Sequence, residues 1–185
     1  MSPRFPSALR RALRRFIRED GIATLEFVVM LPVFLMIFMA SFESGLLMTR
    51  FVMLERAVDL TVRELRLGIF VNPKHDVMKK VICDRTVFFQ DCEDIMRLDL
   101  TPVAMNGGGN WLLPAADAPC VDRDAVIKPL ISDLNTGTSN EMMLVRACAV
   151  FDPIWPLTGI GLNLNKDASG GYSLVAASAF VNEPS

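Results

Sequence analysis

Gly21 and Glu26 are the residues near the N-terminus whose types and spacing could support chemistry. Gly21 offers an unhindered peptide bond to a peptidase that cuts between Gly21 and Ile22. Such a cut would leave an α-amino group at Ile22 and make Glu26 the fifth residue of the shortened chain. A carboxylate in hydrocarbon is costly unless it is paired, so Glu26 is a candidate partner for the amino group of a neighbouring subunit. The alternative is a carboxylate that extends to the membrane surface.

Gly21 and Glu26 lie at the start of an apolar segment that is long enough to cross a membrane. Glu26 is the only charged residue from 21 to 42, and a helix needs about 20 residues to cross the hydrocarbon layer. Six arginines precede the segment, at Arg4, Arg10, Arg11, Arg14, Arg15 and Arg18. Because arginines stay on the cytoplasmic side, we expect a single-pass protein of the bacterial inner membrane with its N-terminus in the cytoplasm and a periplasmic C-terminal domain.

Cleavage of a conventional secretory signal is the less favoured interpretation of the apolar segment. It would require small residues in an Ala-x-Ala pattern, which Ala40, Ser41 and Phe42 match poorly. A cut before the segment, with the segment retained as an anchor, fits the sequence better. We therefore expect a basic leader at residues 1–21.

The length of 185 residues allows one modest domain besides the anchor and excludes a large multidomain enzyme. Outside residues 1–20 the chain has 13 basic and 19 acidic residues. This acidic balance argues against binding of nucleic acid. The basic leader is therefore a feature of the N-terminus alone.

Apolar residues at steps of three and four predict that the membrane helix continues to a left-handed cap near Gly68. They are Leu47, Phe51, Leu54, Val58, Val62 and Leu65. Pro32 lies within this helix, where it removes one backbone hydrogen bond. A second helix is predicted from Pro73 to about Cys83, with Asn72 as its cap.

Alternating or continuous apolar residues predict strands at 95–103, Met142–Phe151 and Tyr172–Val181. Residues 124–134 could form another helix, although Pro129 weakens that prediction. The expected fold class is α+β, with three or four antiparallel strands packed against the outer half of the long helix. The predicted domains are 1–21, a transmembrane and extended helix at 22–68, and an exported α+β domain at 69–185.

Four cysteines, Cys83, Cys92, Cys120 and Cys148, all lie in the part expected to be exported, where disulfides form. Three pairings are possible, and the favoured one joins Cys83 to Cys92 and Cys120 to Cys148. A zinc site is the alternative, but the sequence lacks Cys-x-x-Cys spacing and a second histidine.

Residues for catalysis are sparse. His75 is the only histidine and is expected on a helix surface, and the glycines at 107–109 lack the Lys-Ser/Thr sequel of a phosphate-binding loop. Asp91, Glu93 and Asp94 could bind a cation, although a solvated turn fits them better. We expect neither an enzyme nor a bound cofactor or metal.

The N-terminal pattern resembles the TadE-like (TadE/TadF) pseudopilins of the tight-adherence, or Flp, pilus system. The matching residues are Gly21, Glu26 with Phe27, Leu31 with Pro32, and the closing Asn182, Glu183 and Pro184. The resemblance covers residues 18 to about 65 and implies cleavage after Gly21 by a membrane-embedded aspartic prepilin peptidase. It also implies an assembly role for Glu26, Phe27 and Pro32.

The resemblance predicts a minor pilin or pseudopilin of a type IV pilus. The implied partners are the prepilin peptidase, other pilins and pseudopilins of the system, the inner-membrane assembly platform and inner-membrane lipid. One alternative is an uncleaved single-pass protein with a periplasmic binding domain, in which Glu26 is incidental. A further alternative is an anchored hydrolase that uses acidic loop residues.

Overall fold

Three helices and three strands form the part of the chain that the computed structural model describes. The described residues are 22–70, 74–115, 118, 120–123, 134, 137–155, 166 and 169–183. The helices are α1 (Ile22–Arg66), α2 (His75–Asp84) and α3 (Cys92–Ile95), and the strands are β1 (Met96–Pro102), β2 (Met142–Phe151) and β3 (Tyr172–Val181). The α+β fold class with an antiparallel sheet is confirmed.

The C-terminus of α1 is closed by the glycine that the sequence predicts for this position. Gly68 has a φ of 67°, and its N–H donates to the carbonyl of Leu65, while the N–H of Ile69 donates to the carbonyl of Glu64. These bonds satisfy carbonyls that the helix leaves without partners. Arg63 and Arg66 in the last turn place positive charge at the negative end of the helix dipole.

The sheet has the order β1-β2-β3, and both neighbouring pairs are antiparallel. Met96 lies opposite Ala149 at one end of β1, and Pro102 lies opposite Met143 at the other. All of β2 pairs with all of β3, from Phe151 opposite Tyr172 to Met142 opposite Val181. The bounds of β2 and β3 agree with the predicted strands, and β1 lies within the predicted 95–103.

The chain divides into two compact units, Met1–Phe42 and Glu43–Ser185. In the second unit, the predicted apolar face of α1 contributes to the core that the sheet also forms. Leu54, Val58 and Val62 are buried, and Leu47, Phe51 and Leu65 are partly buried against them. The inward residues of β2 include the small residues Ala147 and Ala149, which belong to the same buried cluster as Leu54.

The second predicted helix is present as α2, which starts at His75 with Lys74 at its N-cap position. The proposed cap Asn72 and the proline Pro73 lie outside the described residues. The possible helix at 124–134 also lies outside them, apart from Leu134, which packs against the core.

Truncation of Leu54 is expected to destabilise the second unit strongly. This side chain is fully buried, so Leu54→Ala should lower the free energy of unfolding by about 2–5 kcal/mol. Leu60 on the same helix is 42% exposed, and Leu60→Ala is the matched control, with an expected change of about 0.5 kcal/mol or less. Urea unfolding of the purified chain in detergent, followed by tryptophan fluorescence, measures both. Equal losses for the two variants would contradict the position of α1 in the core.

Candidate assembly site

The N-terminal part of α1 is long and apolar enough to cross a membrane. All side chains from residue 23 to 38 are exposed in the isolated chain, including Leu25, Phe34 and Ile37. A helix that is apolar on all sides requires an apolar environment outside its own chain. Within the described residues, this is the one helix with that property.

Glu26 lies in the second turn of α1, and its side chain is exposed among apolar neighbours such as Val29 and Met30. Among the residues that the structure describes, none forms an ion pair or hydrogen bond with its carboxylate. The carboxylate of Glu26 can therefore pair with a positive group or a hydrogen-bond donor of another molecule. Gly21 lies outside the described residues, and Ile22 is the first residue of α1.

Phe27 and Pro32 extend the apolar surface around Glu26. The Phe27 side chain is 62% exposed, and α1 continues through Pro32 without a change of helix type. Because proline has no N–H, the carbonyl of Val28 has no donor from residue 32. Because the side chains of Phe27 and Pro32 are both exposed, they can contact lipid or a second helix.

Two polar residues attach the next part of α1 to the sheet unit. Glu43 is buried, at 3% exposure, and its Oε1 accepts a hydrogen bond from the backbone N–H of Ile154 at 3.1 Å. Arg50 donates to the hydroxyl of Tyr172 at 2.7 Å, and its guanidinium lies 4.7 Å from the ring centroid of Phe151. These contacts fix the start of the second unit to the strand ends of β2 and β3.

The C-terminal end of α1 has its own attachments. Arg85, at the end of α2, donates to Glu64 at 2.6 Å and to the hydroxyl of Thr61 at 3.0 Å. Arg66 pairs with Glu183 at 3.2 Å, beyond the end of β3. Since Arg50 contacts the start of β3 and Arg66 contacts the residues after it, this part of α1 runs in the same direction as β3.

Two disulfides stabilise the second unit, Glu43–Ser185, which is called the outer unit from here on, and their pairing is the one favoured from the sequence. Cys83 in α2 is bonded to Cys92 in α3, nine residues later. Cys120 is bonded to Cys148 in β2, across 28 residues. The second bond attaches the long loop after β1 to the face of the sheet that points away from α1.

An ion pair strengthens the attachment of that loop. Arg146 in β2 pairs with Asp99 in β1 at 2.6 Å, directly across the strand pair, and also donates to the carbonyl of Ala115 at 2.7 Å. The side chains of Arg146 and Asp99 are only 11% and 23% exposed. Such charge-assisted bonds hold the loop at a defined position on the sheet.

The prediction that His75 lies on a helix surface is wrong. The residue is 5% exposed because it begins α2 on the side that packs into the unit, beside buried Met78 and Ile82. Its Nδ1 lies 3.2 Å from Oδ1 of the adjacent Asp76. In the described part of the chain, no group of three or more His, Cys, Asp or Glu side chains could hold a metal ion.

Glu43 and Arg50 were not predicted from the sequence to be structural anchors. A usable signal for Glu43 was its place as the first charged residue after Glu26, at the end of the apolar segment. For Arg50 no local signal exists, because its partners Phe151 and Tyr172 are about 100 or more positions away along the chain.

A comparison with protein families finds a match to the model described as TadE-like protein over residues 21–63. The matched region includes Gly21, Glu26, Phe27 and Pro32 and extends through most of α1. No curated protein and no solved structure matches the chain. The resemblance of the N-terminal region to TadE-like proteins is therefore confirmed.

Proposed function

We propose that this chain, in which residues 21–63 carry the TadE-like pattern, is a minor pilin or pseudopilin that takes part in assembly of a tight-adherence type IV pilus. The observation that carries the proposal is Glu26, a carboxylate without a partner among the described residues in a helix that is apolar on all sides. In a monomer this carboxylate would be an unpaired charge in the membrane, which costs free energy. In an assembly of helices, a positive group of a neighbour can neutralise the charge.

The partner of Glu26 is the α-amino group that prepilin peptidase creates at Ile22 of another subunit. In low-dielectric surroundings an ammonium and a carboxylate in contact attract strongly, whereas an unpaired charge remains costly. The pair would therefore form only when a cleaved subunit lies beside another subunit. In this proposal the peptidase cuts after Gly21, Ile22 then carries the new α-amino group, and Glu26 of a neighbouring subunit binds that group.

The outer unit then acts as a recognition domain and not as an enzyme. Before assembly the protein is held in the inner membrane by α1, with the arginines of residues 1–21 in the cytoplasm and the disulfide-bonded unit in the periplasm. Both disulfides and the pair between Asp99 and Arg146 support a rigid surface. Other pilins, pseudopilins and the inner-membrane assembly platform are the proteins that this surface would contact.

Intact-mass measurement of the chain, produced with and without the prepilin peptidase of the same system, tests the proposal. We expect a chain that begins at Ile22 when the peptidase is present and a chain that retains residues 1–21 when it is absent. Gly21→Leu should prevent the cut, because a bulky side chain would obstruct the scissile bond. Gly45→Ala is the matched control, since an added Cβ meets no atom within 4 Å there.

A chain that keeps residues 1–21 beside active peptidase would contradict the proposal. It would favour the alternative of an uncleaved single-pass protein with a periplasmic binding domain.

A further inference from the structure

One edge of the sheet in the outer unit is formed by β3, and most of this edge is unpaired. Lys166 forms a bridge with Tyr172 at the start of the strand. Among the residues that the structure describes, none pairs with the free side of β3 beyond this point. The stretch 174–181 of β3 is called the open edge from here on.

The end of β3 shows which backbone groups point away from the sheet. The N–H of Asn182 donates to the carbonyl of Glu141 at 3.0 Å, so Asn182 points toward the side of β2. Because successive residues of a strand direct their backbone groups to opposite sides, every second residue before Asn182 also bonds to β2. The residues that direct their N–H and carbonyl groups away from β2 are Val175, Ala177, Ala179 and Val181. The open edge therefore offers an uninterrupted row of donors and acceptors to an added strand.

The side chains of the open edge leave this row accessible. Leu174, Ala176 and Phe180 point into the core and are buried. Ala177 and Ala179 lie on the opposite face and are exposed. Since an alanine side chain is too short to cover the backbone, a second strand can approach the open edge without displacing it.

The other edge of the sheet, β1, has the features by which proteins protect an edge from pairing. Arg97 and Asp99 place charges along β1, and Pro102 lacks an N–H at its end. Strand β3 contains neither a charged residue nor a proline from Tyr172 to Val181. One edge of the sheet is therefore protected against an added strand, and the open edge is not.

We propose that the open edge pairs with the open edge of a second copy of this chain, which joins two three-stranded sheets into one sheet. The contact lies entirely within the outer unit. It goes beyond the proposed function, because it needs neither the cut after Gly21 nor the pairing of Glu26.

A second copy is the occupant that the composition of β3 favours. An uncharged strand meets an identical strand without placing like charges opposite each other. Each copy has one open edge, so two copies satisfy both edges and form a closed dimer. The protected β1 strands at the outer ends of the joined sheet prevent further growth. Since the open edge is only about 26 Å long, the contact is small for a specific interface, and we expect the dimer to be reversible.

Amide hydrogen exchange of the full chain in detergent, resolved to single residues, tests this pairing. Sedimentation in a density-matched detergent identifies a dilute monomer and a concentrated dimer for the comparison. We expect the amides of Ala177 and Ala179 to exchange about tenfold or more slowly in the dimer than in the monomer. The amide of Phe180 bonds to β2 in every copy, so its exchange should not change and serves as the internal control.

Charge on the open edge should prevent the pairing. The double variant Ala177→Lys with Ala179→Lys gives β3 the kind of protection that β1 has, and we expect its dimer to have a dissociation constant raised by about tenfold or more. Leu113→Lys is the matched control, because Leu113 is 71% exposed and lies outside the strands. Its dissociation constant should equal that of the native chain. The exchange measurement uses the native chain, so it does not depend on the folding of a variant.

Equal exchange of the Ala177 and Ala179 amides in monomer and dimer would overturn the proposal, because the copies would then associate through another surface. A chain that sediments as a monomer at every concentration reached would also overturn it. Protection that appears only after another protein is added would assign the open edge to that protein instead of a second copy. Intact mass measures the cut after Gly21 separately, so each of these results leaves the proposed function intact.

Discussion

Cells that carry Glu26→Gln in place of the native chain are expected to lose assembly while the protein still inserts in the membrane. Glutamine keeps the size and hydrogen-bonding ability of the side chain but removes the negative charge that would attract the α-amino group at Ile22. The loss of one charge partner at low dielectric leaves the other charge unpaired, at a cost of about 3–5 kcal/mol. That cost corresponds to a reduction of more than about a hundredfold in the association of subunits.

Co-purification of the variant with the other pilins and pseudopilins of the system measures this association. Glu55→Gln is the matched control, because Glu55 is an exposed carboxylate on the same helix outside the apolar segment. Intact mass should show that both variants are cleaved after Gly21. Normal co-purification of Glu26→Gln would contradict the role of this carboxylate.

Loss of the disulfide between Cys120 and Cys148 is expected to destabilise the outer unit more than loss of the other one. The bond closes a loop of 28 residues, for which the chain-entropy estimate of its contribution is about 3.5 kcal/mol. The bond between Cys83 and Cys92 spans nine residues, and the same estimate gives about 2.5 kcal/mol. Replacing both cysteines of a pair by serine avoids a new free thiol.

Urea unfolding of the two double variants in detergent, followed by tryptophan emission, compares these losses directly. The pair between Asp99 and Arg146 also holds the long loop, so the variant without Cys120 and Cys148 should retain partial attachment of that loop. A larger loss for the variant without Cys83 and Cys92 would show that packing and not loop closure sets the contribution of each bond.

Much of the fold could be predicted because its signals are local. The apolar residues from Leu47 to Leu65 recur at helical steps, and Gly68 provides the left-handed cap. Strands β2 and β3 are continuously or alternately apolar and are bounded by turn residues. In such segments the chain neighbours and the tertiary packing favour the same structure.

The remaining features depend on contacts between distant parts of the chain. His75 and Glu43 are buried because other parts of the chain pack over them. Histidine and glutamate are usually exposed, so the residue type alone does not indicate this burial. Arg146 binds Asp99 and the carbonyl of Ala115 only after the sheet is formed and the loop returns across it. Sequence spacing cannot identify such partners, because they are 47 and 31 positions away.

The attachment of α1 along β3 has a consequence for how the protein bears load. In the pilus subunit proposed above, a pull along α1 would reach the outer unit through the segment after Glu43. Because this segment runs in the same direction as β3 and is fixed at Arg50 and at Arg66, the tension shears several contacts at once. Contacts loaded together resist extension better than contacts that open one after another, so we expect this pairing of α1 with β3 to resist a pull along the helix.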